Sequence, residues 1–111
     1  MTRLAVLADI HGNLPALQAV MDDMAQFEID HVIVAGDIVN WVPFNVEVVD
    51  CVTANHWAVL RGNQEAYLLD YQTNREPEHR KHYVMTPLLY EQLQGHRHHL
   101  IAAWPDVLSL Q

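Results

Sequence analysis

The chain carries three short, continuously apolar stretches: Arg3–Ala8 (RLAVLA), His31–Ala35 (HVIVA) and Trp57–Leu60 (WAVL). None alternates polar with apolar side chains, which predicts strands covered on both faces, as in parallel sheets. Between the first two, Leu17, Val20, Met21, Met24 and Phe27 fall at helical spacing, with Gln18, Asp22, Asp23 and Gln26 opposite. That pattern predicts a helix over 14–27, N-capped by Asn13, with Pro15 tolerated in its first turn. A weaker stripe of Val46, Val49 and Val52 predicts a second helix over 45–53, with Cys51 packed inside. The order strand, helix, strand, helix, strand amounts to two βαβ units. Right-handed crossovers put both helices on one face if the strands add in one direction. The expected fold class is α/β, a βαβαβ parallel sheet with flanking helices.

Beyond Glu65 the pattern loosens. Residues 71–82 (YQTNREPEHRKH) are polar, charged and interrupted by Pro77, which predicts a surface loop with His79 and His82 solvated. Thr86 then stands as an N-cap with Pro87 at the first helical position. Leu89, Leu93 and Leu100 give that helix an apolar side. Gly95 is placed to break it in two, and Pro105 to end it. Val107–Leu110 has the look of the first half of another strand.

The residues just past each predicted strand carry the chemistry. The first strand leads into Asp9-Ile10-His11-Gly12-Asn13, the second into Gly36-Asp37-Ile38-Val39-Asn40, the third into Gly62-Asn63-Gln64-Glu65. Ligands of open α/β sheets gather at the carboxyl ends of the strands, so Asp9, His11, Asp37 and Asn63 should converge. Carboxylates and an imidazole together suit Mn, Fe, Zn, Co or Ni rather than Ca. Asp9 and His11 are two residues apart, so in extended backbone they point the same way. Asp37, with two carboxylate oxygens, could bridge two ions. The glycines at 12, 36 and 62 permit tight turns close to a ligand.

Composition narrows the partners. With 111 residues the chain is expected to be one domain, 1–111; 50% hydrophobic and 18% charged residues exclude disorder. The formal charge of −8 argues against an electrostatic grip on nucleic acid. A phosphate-bearing substrate would therefore need a local cation. No apolar run approaches the roughly 18 residues that cross a bilayer, and the N-terminus lacks a signal-peptide pattern. The single Cys51 fits a reducing cytosol, so a cytoplasmic location and no membrane partner are expected. Neither the dinucleotide-binding glycine fingerprint nor the P-loop pattern occurs.

Taken together, ADIHGN, AGDIVN and LRGNQE resemble the signature of the calcineurin-like metallophosphoesterase superfamily, in particular its compact prokaryotic branch. The resemblance is specific over residues 3–65. It implies the N-terminal half of a four-layer α/β/β/α sandwich and a dinuclear metal site. One ion would take Asp9, His11 and Asp37; the second would share Asp37 and add Asn63. It implies hydrolysis of phosphomono- or diester or phosphoanhydride bonds by an activated water. The substrate would be a phosphorylated small molecule or a nucleotide. Asn63 and Gln64 would stand beside the reacting groups, and Arg61 is a candidate phosphate contact.

Three departures qualify that implication. Gln64 stands where the family has a histidine that protonates the leaving oxygen, and glutamine cannot act as a general acid. Trp41-Val42 stands where many relatives carry Arg-Gly. The later histidine ligands are missing: Gly95-His96-Arg97-His98 spells the right letters, but on a helix His96 and His98 point about 200° apart. At most one ion is therefore expected to be held firmly. A strand apolar on both faces also needs a second cover, which predicts a truncated or divided domain that self-associates or takes a complementing chain. The alternative is a catalytically impaired module of the same ancestry that binds metal or a protein without turnover.

Overall fold

The computed structural model describes residues 1–40 and 43–109. Strands β1 (Leu4–Leu7), β2 (His31–Ala35) and β3 (Ala58–Leu60) form a parallel sheet in the order β1-β2-β3. Helices α1 (Leu14–Met24) and α2 (Asn45–Ala54) are the crossovers, and α3 (Asn63–Asp70) leaves the tip of β3. A single 3₁₀ turn at Glu78–Arg80 precedes α4 (Met85–Leu93) and α5 (His96–Ala103). The α/β class and the βαβαβ order are those expected from the hydrophobic pattern.

Register decides which side chains share a face. Leu7 lies beside Val34, and Val34 beside Val59; all three are buried. Leu17 of α1 and Val48, Val49 and Val52 of α2 join the same core. So do Leu68, Leu89, Leu93 and Ile101 from the last three helices. The segment 87–103, the one candidate to cover the second face of the sheet, thus adds Leu89, Leu93 and Ile101 to that same core; Leu100, expected on its apolar side, is only half-buried and is replaced there by Ile101. On the second face Leu4 is 42% and Val6 60% exposed.

Four local expectations are corrected. First, α1 stops at Met24, short of Phe27: the Gln26 and Phe27 N–H groups bond three residues back, to Asp23 and Met24, in turns that unwind the helix. Leu17, Met21 and Met24 face the core, whereas Val20 and Phe27 lie outside. Second, α3 forms where the pattern predicts no helix, because its start is fixed by Glu65 rather than by an apolar stripe. Third, α4 begins at Met85, and Thr86 is buried inside its first turn with no capping bond. Fourth, residues 107–109 form no strand, and Val107 is 79% exposed; Leu110 lies outside the described residues. Gly95 does part α4 from α5, at φ 83°, a left-handed value that glycine adopts without strain. Cys51 is half-buried, its Sγ 3.6 Å from Met21 Sδ, and burial pushes its thiol pKa up.

Candidate metal centre

The tips of β1 and β2 are bound together by backbone. Asp9 N–H donates to Gly36 O at 3.2 Å, His11 N–H to Asp37 O at 3.0 Å, and Gly12 N–H to Ile38 O at 2.8 Å. To make this turn, Asp9, His11 and Asp37 adopt φ of 57°, 50° and 55°. Left-handed backbone is costly for residues with a Cβ, and when it clusters it marks a functional site. The third tip approaches as closely. A Cβ on Gly36 would lie 2.8 Å from the backbone of Gly62, and a Cβ on Gly62 would strike the Asp37 side chain. Only hydrogen at both positions lets the β2 and β3 loops meet.

That backbone brings Asp9, His11 and Asp37 together: one ligand atom from each lies within 4.8 Å of the others. His11 Nδ1 sits 3.3 Å from Val39 O, and Nε2 sits 3.3 Å from Asp9 Oδ1. A backbone carbonyl can only accept, so Nδ1 carries the proton in the neutral ring. The unprotonated Nε2 then faces a carboxylate oxygen. A divalent ion bound there would be shared by the two, and a carbonyl-oriented histidine is the usual way a metal-binding imidazole is fixed. The donor set therefore fits a divalent metal of the Mn-to-Zn series.

Asn63 opens α3 and is exposed, between two residues tied to the β2 loop. Gly62 N–H donates to Glu65 Oε1 at 2.8 Å, and Gln64 N–H donates to Asp37 Oδ1 at 3.1 Å. Gln64 is buried, and its Oε1 accepts from Asn40 Nδ2 at 2.7 Å. The Arg61 guanidinium is committed elsewhere: Nε and Nη2 fork onto Asp106 at 3.1 and 3.0 Å, and Arg61 N–H donates to Pro105 O. Arg61 thereby fastens the segment after α5 to the base of the β3 loop.

One central residue, Glu65, is given no role by the sequence pattern. Glu65 is fully buried, and its carboxylate accepts from Asp37, Ile38 and Val39 as well as from Gly62, at 2.8–3.2 Å. Burial pushes its carboxyl pKa up, and the four N–H donors pull back against that rise. The bond to Gly62 is the reach-back half of a capping box, which the spacing Gly62-x-x-Glu65 could have signalled. Glycine at the cap hides it from a search for serine or threonine.

The other histidines stand apart from this cluster. His79, His82 and His96 are exposed; His98 is half-buried with its ring edge-on to Tyr90 at 5.8 Å. Trp41-Val42, the replacement for the relatives' Arg-Gly, lies outside the described residues.

Fold and ligand set define an α/β protein with residues suited to a divalent metal at its strand tips. The sequence model of the calcineurin-like phosphoesterases matches residues 2–104, and the chain belongs to that family. Among solved structures it is similar to a metallophosphoesterase from Sphaerobacter thermophilus, with a TM-score of 0.73 and 24% identity over 94% of this chain and 42% of that one. It is also similar to a protein put forward as a diadenosine tetraphosphatase, with a TM-score of 0.72 and 21% identity over 94% of this chain and 43% of that one. These likenesses establish the fold. The chain spans less than half the length of either structure. No curated protein matches it significantly. Among the described residues no helix is long and apolar enough to cross a membrane.

Proposed function

We propose that this chain contributes the metal-holding half of a phosphoester hydrolase, with Asp9, His11 and Asp37 as ligands and Asn63 at the rim. The observation that carries this reading is the His11 Nε2 held against Asp9 Oδ1 with the Asp37 carboxylate alongside. The chemistry that a divalent ion supplies in such a site is polarisation of a phosphoryl oxygen and acidification of water. The protein's own part is positional. Glu65 locks the Asp37 loop to the start of α3, and the Asn63 amide can donate to a phosphoryl oxygen. Gln64 has no proton to give a leaving group, so substrates whose leaving oxygen departs unaided are favoured. Phosphoanhydrides meet that requirement, and the polyphosphate substrate named for the second structural neighbour is of that kind.

A second reading has one observation of its own. Gln64, at the family's histidine position, is buried against Asn40, which suits a module that binds metal without turnover. Calorimetric titration with Mn²⁺, paired with hydrolysis of p-nitrophenyl phosphate and its bis ester, separates the two. Hydrolysis that is Mn²⁺-dependent and lost in Asp37→Asn supports the first reading. Tight Mn²⁺ binding with no turnover on either ester selects the second. No Mn²⁺ binding at all removes both.

A further inference from the structure

In a chain of net charge −8, a cation without a carboxylate partner stands out. The chain's basic residues are mostly spoken for. Arg61, Arg75, Arg97 and Lys81 each face a carboxylate, at 3.0, 3.5, 2.8 and 2.8 Å. Arg3 lies at the exposed N-terminal end. Arg80 is different. Its guanidinium carbon lies 3.9 Å from the ring centroid of Tyr67 and 4.1 Å from that of Tyr83, a cation held between two aromatic faces. It has no carboxylate partner among the described residues, and its Nε is buried with nothing to donate to. A buried donor left without an acceptor calls for an explanation.

The position of Arg80 supplies one. With Asn40, Tyr83, Met85 and Thr86 it lines a cavity of about 70 Å³. That exceeds the ~10–15 Å³ a single water needs, so a small oxyanion has room. Asn40 connects the cavity to the candidate metal centre: its side chain holds Gln64, whose N–H holds the Asp37 carboxylate. The segment carrying Arg80 is pinned in a turn, with Arg80 N–H donating to Pro77 O and Tyr83 N–H to Arg80 O. The guanidinium is thus pre-positioned, half out of water, beside a cavity that Asn40 also lines.

We infer that Arg80 is an anion-binding residue of this chain, and that its ligand is a phosphate group of the substrate adjoining the one at the strand tips. It takes the role for which Arg61 was the sequence candidate. A planar guanidinium whose Nε has no acceptor suits forked bonds to phosphate oxygens, and the two tyrosine rings beside it restrict its motion. The substrate class rests on the proposed phosphoesterase reading; the anion site itself does not, and the test separates them.

Inorganic phosphate is titrated into the ¹⁵N-labelled, metal-free protein at constant ionic strength while the arginine Nε–H signals are followed. The expected result is a saturating shift of the Arg80 signal. Arg80→Gln should raise the phosphate Kd, read from the Asn40 and Thr86 amides, at least tenfold, and the surface control Arg75→Gln should leave it unchanged. An unsaturable drift shared by all the arginine signals overturns the inference, as does an unchanged Kd in Arg80→Gln. The wild-type signal decides the matter even if the variant fails to fold. Mn²⁺ titration of the same samples tests the metal reading independently.

Discussion

The Asn40 side-chain amide donates to Gln64 Oε1 at 2.7 Å, and both groups are buried. The bond belongs to a longer row of amides. Asn40 N–H donates to Asn45 Oδ1 at 2.8 Å, and Asn45 Nδ2 donates to Gln92 Oε1 at 3.3 Å. The β2 loop, α2, α3 and α4 are thereby joined through a row of side-chain amides. Asn40→Ala and Gln64→Ala should each cost about 1–3 kcal/mol, because each removes a buried hydrogen bond. The double variant should cost less than the sum, with a coupling of roughly 0.5–3 kcal/mol. Urea unfolding of the four proteins measures this; strict additivity would show that the bond carries no energy of its own.

Glu65 should matter more than any single ligand for folding. Replacing it with alanine leaves four N–H donors, on Asp37, Ile38, Val39 and Gly62, without their acceptor. At about 1–3 kcal/mol per stranded group, several kcal/mol are lost, against a total near 5–15 kcal/mol for a typical domain. Glu65→Ala is expected to be largely unfolded at 37 °C by circular dichroism. Glu65→Gln, which keeps one acceptor oxygen, should fall between it and the wild type. A Glu65→Ala protein within about 1 kcal/mol of wild type would mean water reaches these groups.

Asp9 is strained and open at once: φ is 57° and its side chain is 67% exposed. Asp9→Gly should therefore stabilise the metal-free protein, by roughly 0.5–1 kcal/mol, while weakening metal binding. Mn²⁺ at a hundred times its Kd should stabilise the wild type by about 2.7 kcal/mol. The same concentration should stabilise Asp9→Gly much less. Thermal unfolding with Mn²⁺ and with chelator reads both effects. A glycine variant that is less stable without metal would place the strain elsewhere.

Much of the fold and of the candidate metal cluster is legible in the sequence because the strands are apolar on both faces and each leads into Asp, His or Gly. Period and order suffice to place Asp9, His11 and Asp37 at one edge. The features that escape are set by single contacts rather than by pattern. Helix α3 depends on one carboxylate reaching back to Gly62, and its hydrophobic stripe is too short to announce it. Arg80 sits in a polar, proline-broken segment that reads as solvated. Tyr83 lies in the same turn, but only the fold brings Tyr67 to the guanidinium. Arg61 looks available in the sequence because Asp106, its partner, is 45 residues away.

The link between α2 and α5 should be visible in the acid limb of stability. Arg97 forks onto Asp50, with Nε–Oδ1 at 2.9 Å and Nη2–Oδ2 at 2.8 Å. The Arg97 hydrogen bond holds the Asp50 carboxyl below its ordinary value of 3.8. A depressed carboxylate stabilises the fold above its unfolded pKa and loses that contribution as pH falls through the folded one. Wild type should thus exceed Asp50→Asn in urea midpoint at pH 6 by a small margin, as befits an exposed pair. The margin should close below pH ~3.8. A margin unchanged by acid would assign the difference to packing.

The absence of a proton donor at residue 64 makes the sharpest prediction about turnover. General-acid help is worth about 10²–10⁴ in rate, and most where the leaving group is a poor one. With Gln64 held by Asn40, rates across a series of phosphoesters should fall steeply as the leaving-group pKa rises from nitrophenol to alkyl alcohol. Gln64→His should flatten that dependence, raising alkyl-ester rates far more than nitrophenyl rates. Pairing it with Asn40→Ser gives the imidazole room, since the Asn40 side chain lies against residue 64 at 2.7 Å. The measurement is kcat/KM for each ester in Mn²⁺. Equal slopes for the wild type and the Gln64→His variant would mean that the leaving oxygen takes its proton from water in both, and that this position has no part in the chemistry.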